Sequence, residues 1–109
     1  MGKWFDGPAP LGPELVTNDE IADPENIGIR LLLNGEVMQD SNTSKMLTKI
    51  ADAIATLSEV MTLEHGDVIA MGTPEGVGFA RGRKLMPGDL MCVEIEGLGA
   101  LETFVEQAP

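Results

Sequence analysis

The chain has 109 residues, with 7 Lys plus Arg against 18 Asp plus Glu, a formal net charge of −11, and 43% hydrophobic residues. That length suits one domain, and charge mixed with this much apolar sequence excludes a disordered acidic tail. The acidic balance also excludes the basic stripe of a nucleic-acid binder, and no apolar run approaches the roughly 20 residues that span a bilayer.

No charged segment followed by an apolar core opens the chain, so no secretory signal is read. The single cysteine, Cys92, cannot close an internal disulfide, which fits a reducing, cytoplasmic setting. Aromatics make up 4% of the chain while Met reaches 7, so the core is expected to be aliphatic.

In chain order, Gly7, Pro8, Pro10, Gly12 and Pro13 predict an extended, turning opening, because proline fixes φ and lacks an N–H. Residues 15–21 read as a short strand or extended piece followed by a turn, and Asp23-Pro24-Glu25-Asn26 as a further turn. Ile27 to Leu33 is the first clear strand, with Ile27, Ile29, Leu31 and Leu33 on one face. Asn34-Gly35 follows it, a strong hairpin signal because a type I′ turn needs positive φ at both central residues. Glu36 to Gln39 is the predicted return strand.

Met46, Leu47, Ile50, Ile54, Leu57 and Met61 then recur at helical spacing, predicting one main helix over about 44–61 with Thr43 or Ser44 as N-cap. Beyond it, Leu63-Glu-His-Gly66-Asp67 and Leu85-Met-Pro-Gly88-Asp89 place the same Gly-Asp turn before an apolar run, 22 residues apart. Strands are expected at 68–71, 90–96 and 100–105, the last two joined by Gly97-Leu98-Gly99. Short connections favour antiparallel or mixed pairing over βαβ units. The fold class is α+β, mostly β: a roll or sandwich with one covering helix, in a single domain over residues 1–109.

Among chemical signals, Gly72-Thr73-Pro74-Glu75-Gly76-Val77-Gly78 is the most site-like. Glycines let backbone approach a ligand, and successive N–H groups with the Thr73 hydroxyl suit a carboxylate or phosphate oxygen. It lacks the Gly-Lys-Ser/Thr ending of a nucleotide-binding loop. Lys3, beside Trp4 and Phe5, has the chemistry to hold an anion, although a lysine near a terminus is ordinarily just solvated. Glu94 and Glu96 share a strand face roughly 6.5–7 Å apart, but Met91, Val93 and Ile95 line the other, so the pair reads as the solvent side. His65 reads as turn decoration, Cys92 as a packed small residue, and no loop carries the regularly spaced oxygens of a calcium site.

Lys3-Trp4-Phe5-Asp6, Pro10-Leu11-Gly12-Pro13, Asn34-Gly35-Glu36, Gln39-Asp40-Ser41-Asn42-Thr43-Ser44, Gly66-Asp67-Val68-Ile69, Gly72 to Gly78, Pro87-Gly88-Asp89 and Glu94 to Gly99 occur in that order. Together they resemble the C-terminal half of the fumarylacetoacetate hydrolase family over essentially the whole chain. The resemblance implies a mixed β-roll, a homodimer, and metal-dependent chemistry on small 2-oxo or acylpyruvate-type acids: C–C bond hydrolysis, decarboxylation, hydration or isomerisation. By match, Lys3 is the family's active-site lysine near metal and substrate. Thr73, with Gly72 beside it, is the residue that binds the substrate carboxylate.

The family's Mg²⁺ or Mn²⁺ ligands, a Glu-x-Glu pair and a later Asp, lie upstream of the lysine and would precede Met1. The resemblance therefore implies an incomplete catalytic domain, with no metal ligand in this chain. Its expected partner is an N-terminal half or a second copy of itself. The alternative is a non-catalytic binding or assembly module that keeps the roll.

Overall fold

The computed structural model of the chain describes residues 7, 9–78 and 81–107. Their centre is a four-stranded antiparallel sheet of β1 (Gly28–Leu33), β2 (Glu36–Asn42), β3 (Leu90–Ile95) and β4 (Gly99–Phe104). The strand order is β2-β1-β3-β4, with one helix, α1 (Ile50–Val60), between β2 and β3 in sequence. The mostly-β α+β class with one helix is as the sequence predicts.

The Asn34-Gly35 hairpin forms as expected, with φ of 51° and 83° at its two central residues. Asn34 also ties the turn to β3. Its Nδ2 donates to Asp89 Oδ1 at 2.8 Å, and its Oδ1 accepts the Leu90 N–H at 2.9 Å. The Met86 backbone N–H and the Asn34 amide together hold the Asp89 carboxyl below its ordinary pKa.

β2 runs three residues past the predicted Gln39 and contains a bulge. Leu33 faces Glu36 and Leu32 faces Val37, but Leu31 faces Gln39, so the ladder skips Met38. One sheet face carries the row Gln39, Leu31, Val93 and Leu101; the other carries Asp40, Arg30, Glu94 and Ala100. Arg30 Nη2 and Asp40 Oδ2 pair at 3.1 Å on that second, exposed face. Glu94 and Glu96 are exposed as predicted, and Glu96 accepts the Gly28 N–H.

The helix is shorter than its periodicity predicts. Residues 43–45 form a separate 3-10 turn, Met46 is extended, and α1 begins only at Ile50. Neither Thr43 nor Ser44 caps it. Asn42 caps the 3-10 turn by accepting the Ser44 N–H, and Thr43 Oγ1 accepts from Ile27 N and donates to Pro24 O. The start of α1 is set from a distance: Glu25 Oε1 accepts the Ile50 N–H at 3.0 Å, an orphan donor that no local side chain meets.

The strand expected at 68–71 is absent among the described residues. A strand needs a ladder partner, and among the described residues nothing pairs with that segment. Residues 15–21 hold a 3-10 turn at Asn18–Glu20 in place of a strand. The two Gly-Asp turns are the same structure used twice. In each the Asp N–H donates to the carbonyl three residues back (3.2 Å at Glu64, 3.0 Å at Met86). In each the Asp carboxylate accepts the N–H of that same residue.

Only Leu33 and Met38 are buried among the described residues, each 4% exposed. The accessible surface is 8793 Å², against roughly 5,800 Å² for a compact monomer of this mass. Large apolar side chains account for part of the difference, Leu15, Leu47, Val60, Val68 and Phe104 among them.

Candidate functional site

Residues 72–78 form a loop laid against β2, the edge strand of the sheet, and the sequence explains its path. Gly72 and Gly76 take φ of 95° and 96°, a region that L side chains rarely adopt. Around Gly72 the space is open, so only the dihedral demands glycine there. At Gly76 space decides as well, because a Cβ would run into the Met38 carbonyl. Gly78 is pressed similarly against the Arg83 carbonyl.

One side chain holds the loop itself, and two tie the segment that follows it to β2. Gln39 Nε2 contacts Thr73 Oγ1 at 3.0 Å, Pro74 O at 2.8 Å and Glu75 O at 3.2 Å. Arg81 Nη2 donates to the Met38 carbonyl at 2.8 Å, using the oxygen of the bulged residue. Arg83 Nη1 pairs with Glu36 Oε2 at 3.3 Å, and its backbone N–H donates to Gly78 O at 2.9 Å. The loop and its flank thus line the outer edge of β2, an edge that would otherwise offer unpaired backbone groups to another strand. Thr73 remains exposed at the loop's outer side.

Of the residues singled out from sequence, Gly72 and Thr73 sit on this loop, and Lys3 lies outside the described residues. His65 is exposed in its Gly-Asp turn. Gln39, Arg81 and Arg83 were not singled out. The available signal for Gln39 is a polar side chain in the row otherwise formed by Leu31, Val93 and Leu101. For a divalent cation the described residues do not fit: they contain no group of three His, Cys, Asp or Glu side chains able to hold a metal ion.

Cys92 is half-buried in β3, and desolvation, with Glu94 and Glu102 nearby, pushes its thiol above the ordinary pKa. The neutral thiol therefore dominates at pH 7. Iodoacetamide labelling should be slow there, with its half-maximal rate above the pH of about 8.5 at which a free cysteine titrates. Rapid labelling at pH 7 would contradict this environment.

The comparisons with known proteins agree with this fold. The model of the fumarylacetoacetate (FAA) hydrolase C-terminal family matches residues 1–106, and the chain belongs to that family. It is 48% identical over 107 residues to the mitochondrial oxaloacetate tautomerase fahd2 of Xenopus laevis, covering 96% of this chain and 34% of the relative. The mitochondrial oxaloacetate tautomerase FAHD2B of Homo sapiens is 50% identical over 103 residues, 93% of this chain and 33% of the relative. The chain thus spans about one third of the length of the curated relatives it matches.

Among solved structures, the fumarylacetoacetate hydrolase of psychrophilic Exiguobacterium antarcticum superposes with a TM-score of 0.90 at 40% identity, covering 95% of this chain and 38% of that one. The maleylpyruvate hydrolase of Sphingobium sp. SYK-6, in complex with manganese(II) and pyruvate, gives 0.83 at 38% identity, over 90% and 35%. No helix among the described residues is long and apolar enough to cross a membrane.

Proposed function

We propose that this chain is the substrate-carboxylate-binding third of a fumarylacetoacetate hydrolase family enzyme acting on small 2-oxo or acylpyruvate-type acids. The observation that carries the reading is the exposed Thr73 hydroxyl on a glycine loop braced against the sheet edge. Such a loop presents backbone N–H groups and a hydroxyl to an acceptor without needing a buried charge. The relatives' names support the ligand class: oxaloacetate and pyruvate both carry a carboxylate beside a carbonyl. Lys3 supplies the cationic partner for such an acid.

On this reading the Mg²⁺ or Mn²⁺ ligands lie in the part of the family enzyme that this chain does not cover, about two thirds of the relatives' length. The exposed apolar side chains of this chain support its packing against that part, or against a second copy. A cytoplasmic or mitochondrial compartment suits the lone Cys92, the latter being named for the Xenopus laevis and Homo sapiens relatives.

The test is an NMR titration with oxalate and Mg²⁺. It is run on the chain alone and on the chain mixed with the upstream two thirds of the Xenopus laevis relative. The mixture should show saturable shifts at Gly72 and Thr73. Thr73→Val should weaken oxalate roughly 10- to 100-fold, the loss expected for one hydrogen bond to a charged group, and Thr73→Ser should retain most of the affinity. Shifts equal in wild type and Thr73→Val would sink the reading in favour of a non-catalytic module.

A further inference from the structure

The end of the Gln39 side chain is defined by what surrounds it. A primary amide has two N–H donors on nitrogen and only acceptor capacity on oxygen. Around Gln39 Nε2 stand one hydroxyl oxygen and two backbone carbonyls, at 3.0, 2.8 and 3.2 Å. The two carbonyls can only accept, so turning the amide over would set oxygen against oxygen. The donor end therefore faces the loop.

This fixes the direction of the hydrogen bond at Thr73. The hydroxyl has one proton to give and lone pairs to receive with. Gln39 occupies a lone pair, and among the described residues nothing accepts the Thr73 proton. We infer that Gln39 is the positioning residue of the ligand loop: its two N–H groups, shared among Thr73 Oγ1 and the Pro74 and Glu75 carbonyls, leave the Thr73 proton free to donate to an acceptor-only ligand group such as a carboxylate.

This inference rests on the reading of Thr73 as a ligand-binding residue and deepens it. It also gives the polar residue in an apolar row a reason to be there. Hydrogen bonds in a chain polarise one another, so a hydroxyl that accepts from Gln39 becomes a better donor to the ligand.

Two variants of the full chain separate positioning from packing. Gln39→Met keeps the length and removes both N–H donors. Gln39→Glu keeps the shape but presents oxygen to the two backbone carbonyls at neutral pH. The backbone amide resonances of Thr73, Glu75 and Gly76 should move from their wild-type positions in both, and further in Gln39→Glu. As the pH drops through the glutamic acid range near 4.3, the new carboxylic O–H becomes a donor, and in Gln39→Glu these resonances should return toward wild type while in Gln39→Met they do not.

In the mixture used for the oxalate titration, both variants should weaken oxalate about tenfold or more at pH 7. Equal resonance shifts in the two variants with no pH-dependent recovery would overturn the inference, as would unchanged oxalate affinity in a system where Thr73→Val still loses it. Because the resonances are read without ligand, a wild type that fails to bind oxalate overturns the carboxylate reading, and Gln39's hold on the loop is then judged by the pH signature alone.

Discussion

Replacing Gly76 by alanine is expected to detach the loop from the sheet edge. Two costs coincide at this position. The φ of 96° is unfavourable for any residue with a Cβ, and the added methyl is driven into the Met38 carbonyl, the oxygen that also receives Arg81. Backbone cannot yield as a flexible side-chain tip would, so the loop must move. The backbone cost alone is about 1–3 kcal/mol, and relief of the clash removes the Gln39 and Arg81 contacts as well. The measurement is hydrogen exchange at the Arg81 and Arg83 amides, which donate to the Gly78 carbonyl, together with the urea midpoint. Gly72→Ala is the internal control: its φ is as positive, but nothing lies within 4 Å of the added Cβ. It should cost only about 1–2 kcal/mol and leave the loop in place. Wild-type protection of the Arg81 and Arg83 amides in Gly76→Ala, with an unchanged urea midpoint, would contradict the close approach of the loop to β2.

Leu33→Ala is expected to have the largest effect on stability. Leu33 and Met38 are the two buried side chains among the described residues, so this substitution strikes a core with little redundancy. Truncating a buried leucine costs about 2–5 kcal/mol through lost transfer free energy and an unfilled cavity. In a domain of this size even the lower figure lowers Tm by about 8 °C or more. Leu47, 104% exposed, gives the contrast: Leu47→Ala should stay within about 0.5 kcal/mol in the chain by itself. Thermal denaturation followed by circular dichroism checks both. Equal Tm values for the two variants would show that the sheet does not depend on its inner row.

What the sequence made legible was governed by neighbours along the chain. The Asn34-Gly35 turn needs positive φ at two adjacent residues, and each Gly-Asp turn closes over four, so both stand in the sequence as local patterns. The helix start was missed because its cap comes from Glu25, 25 residues upstream of Ile50. A periodic run from Met46 cannot reveal that its first turn has no donor partner. The strand expected at 68–71 failed for a related reason: alternation describes a segment fit to pair but not whether a partner exists.

The site divides in the same way. Thr73 and Gly72 stood out from their glycine-rich surroundings and from the family resemblance. Gln39 reaches them across 34 residues of sequence and depends on the register of a hairpin. Gln39 opens one of the motifs that carry the resemblance, but no residue near it in the chain shows that it reaches Thr73.

The bulge in β2 has a bearing on which changes of length the hairpin tolerates. Counting outward from Asn34-Gly35 in an unbroken ladder, Leu31 would meet Met38, and Gln39 would stand opposite Arg30 on the charged face. The one skipped residue exchanges those places, bringing the amide to the loop and freeing the Met38 oxygen for Arg81. Deleting Met38 would close the bulge and still set Gln39 opposite Leu31, losing only the oxygen that receives Arg81, whereas a repacking that closes the bulge with every residue kept would send Gln39 to the charged face. The extra residue in this short hairpin arm therefore decides which side chain of β2 meets the loop.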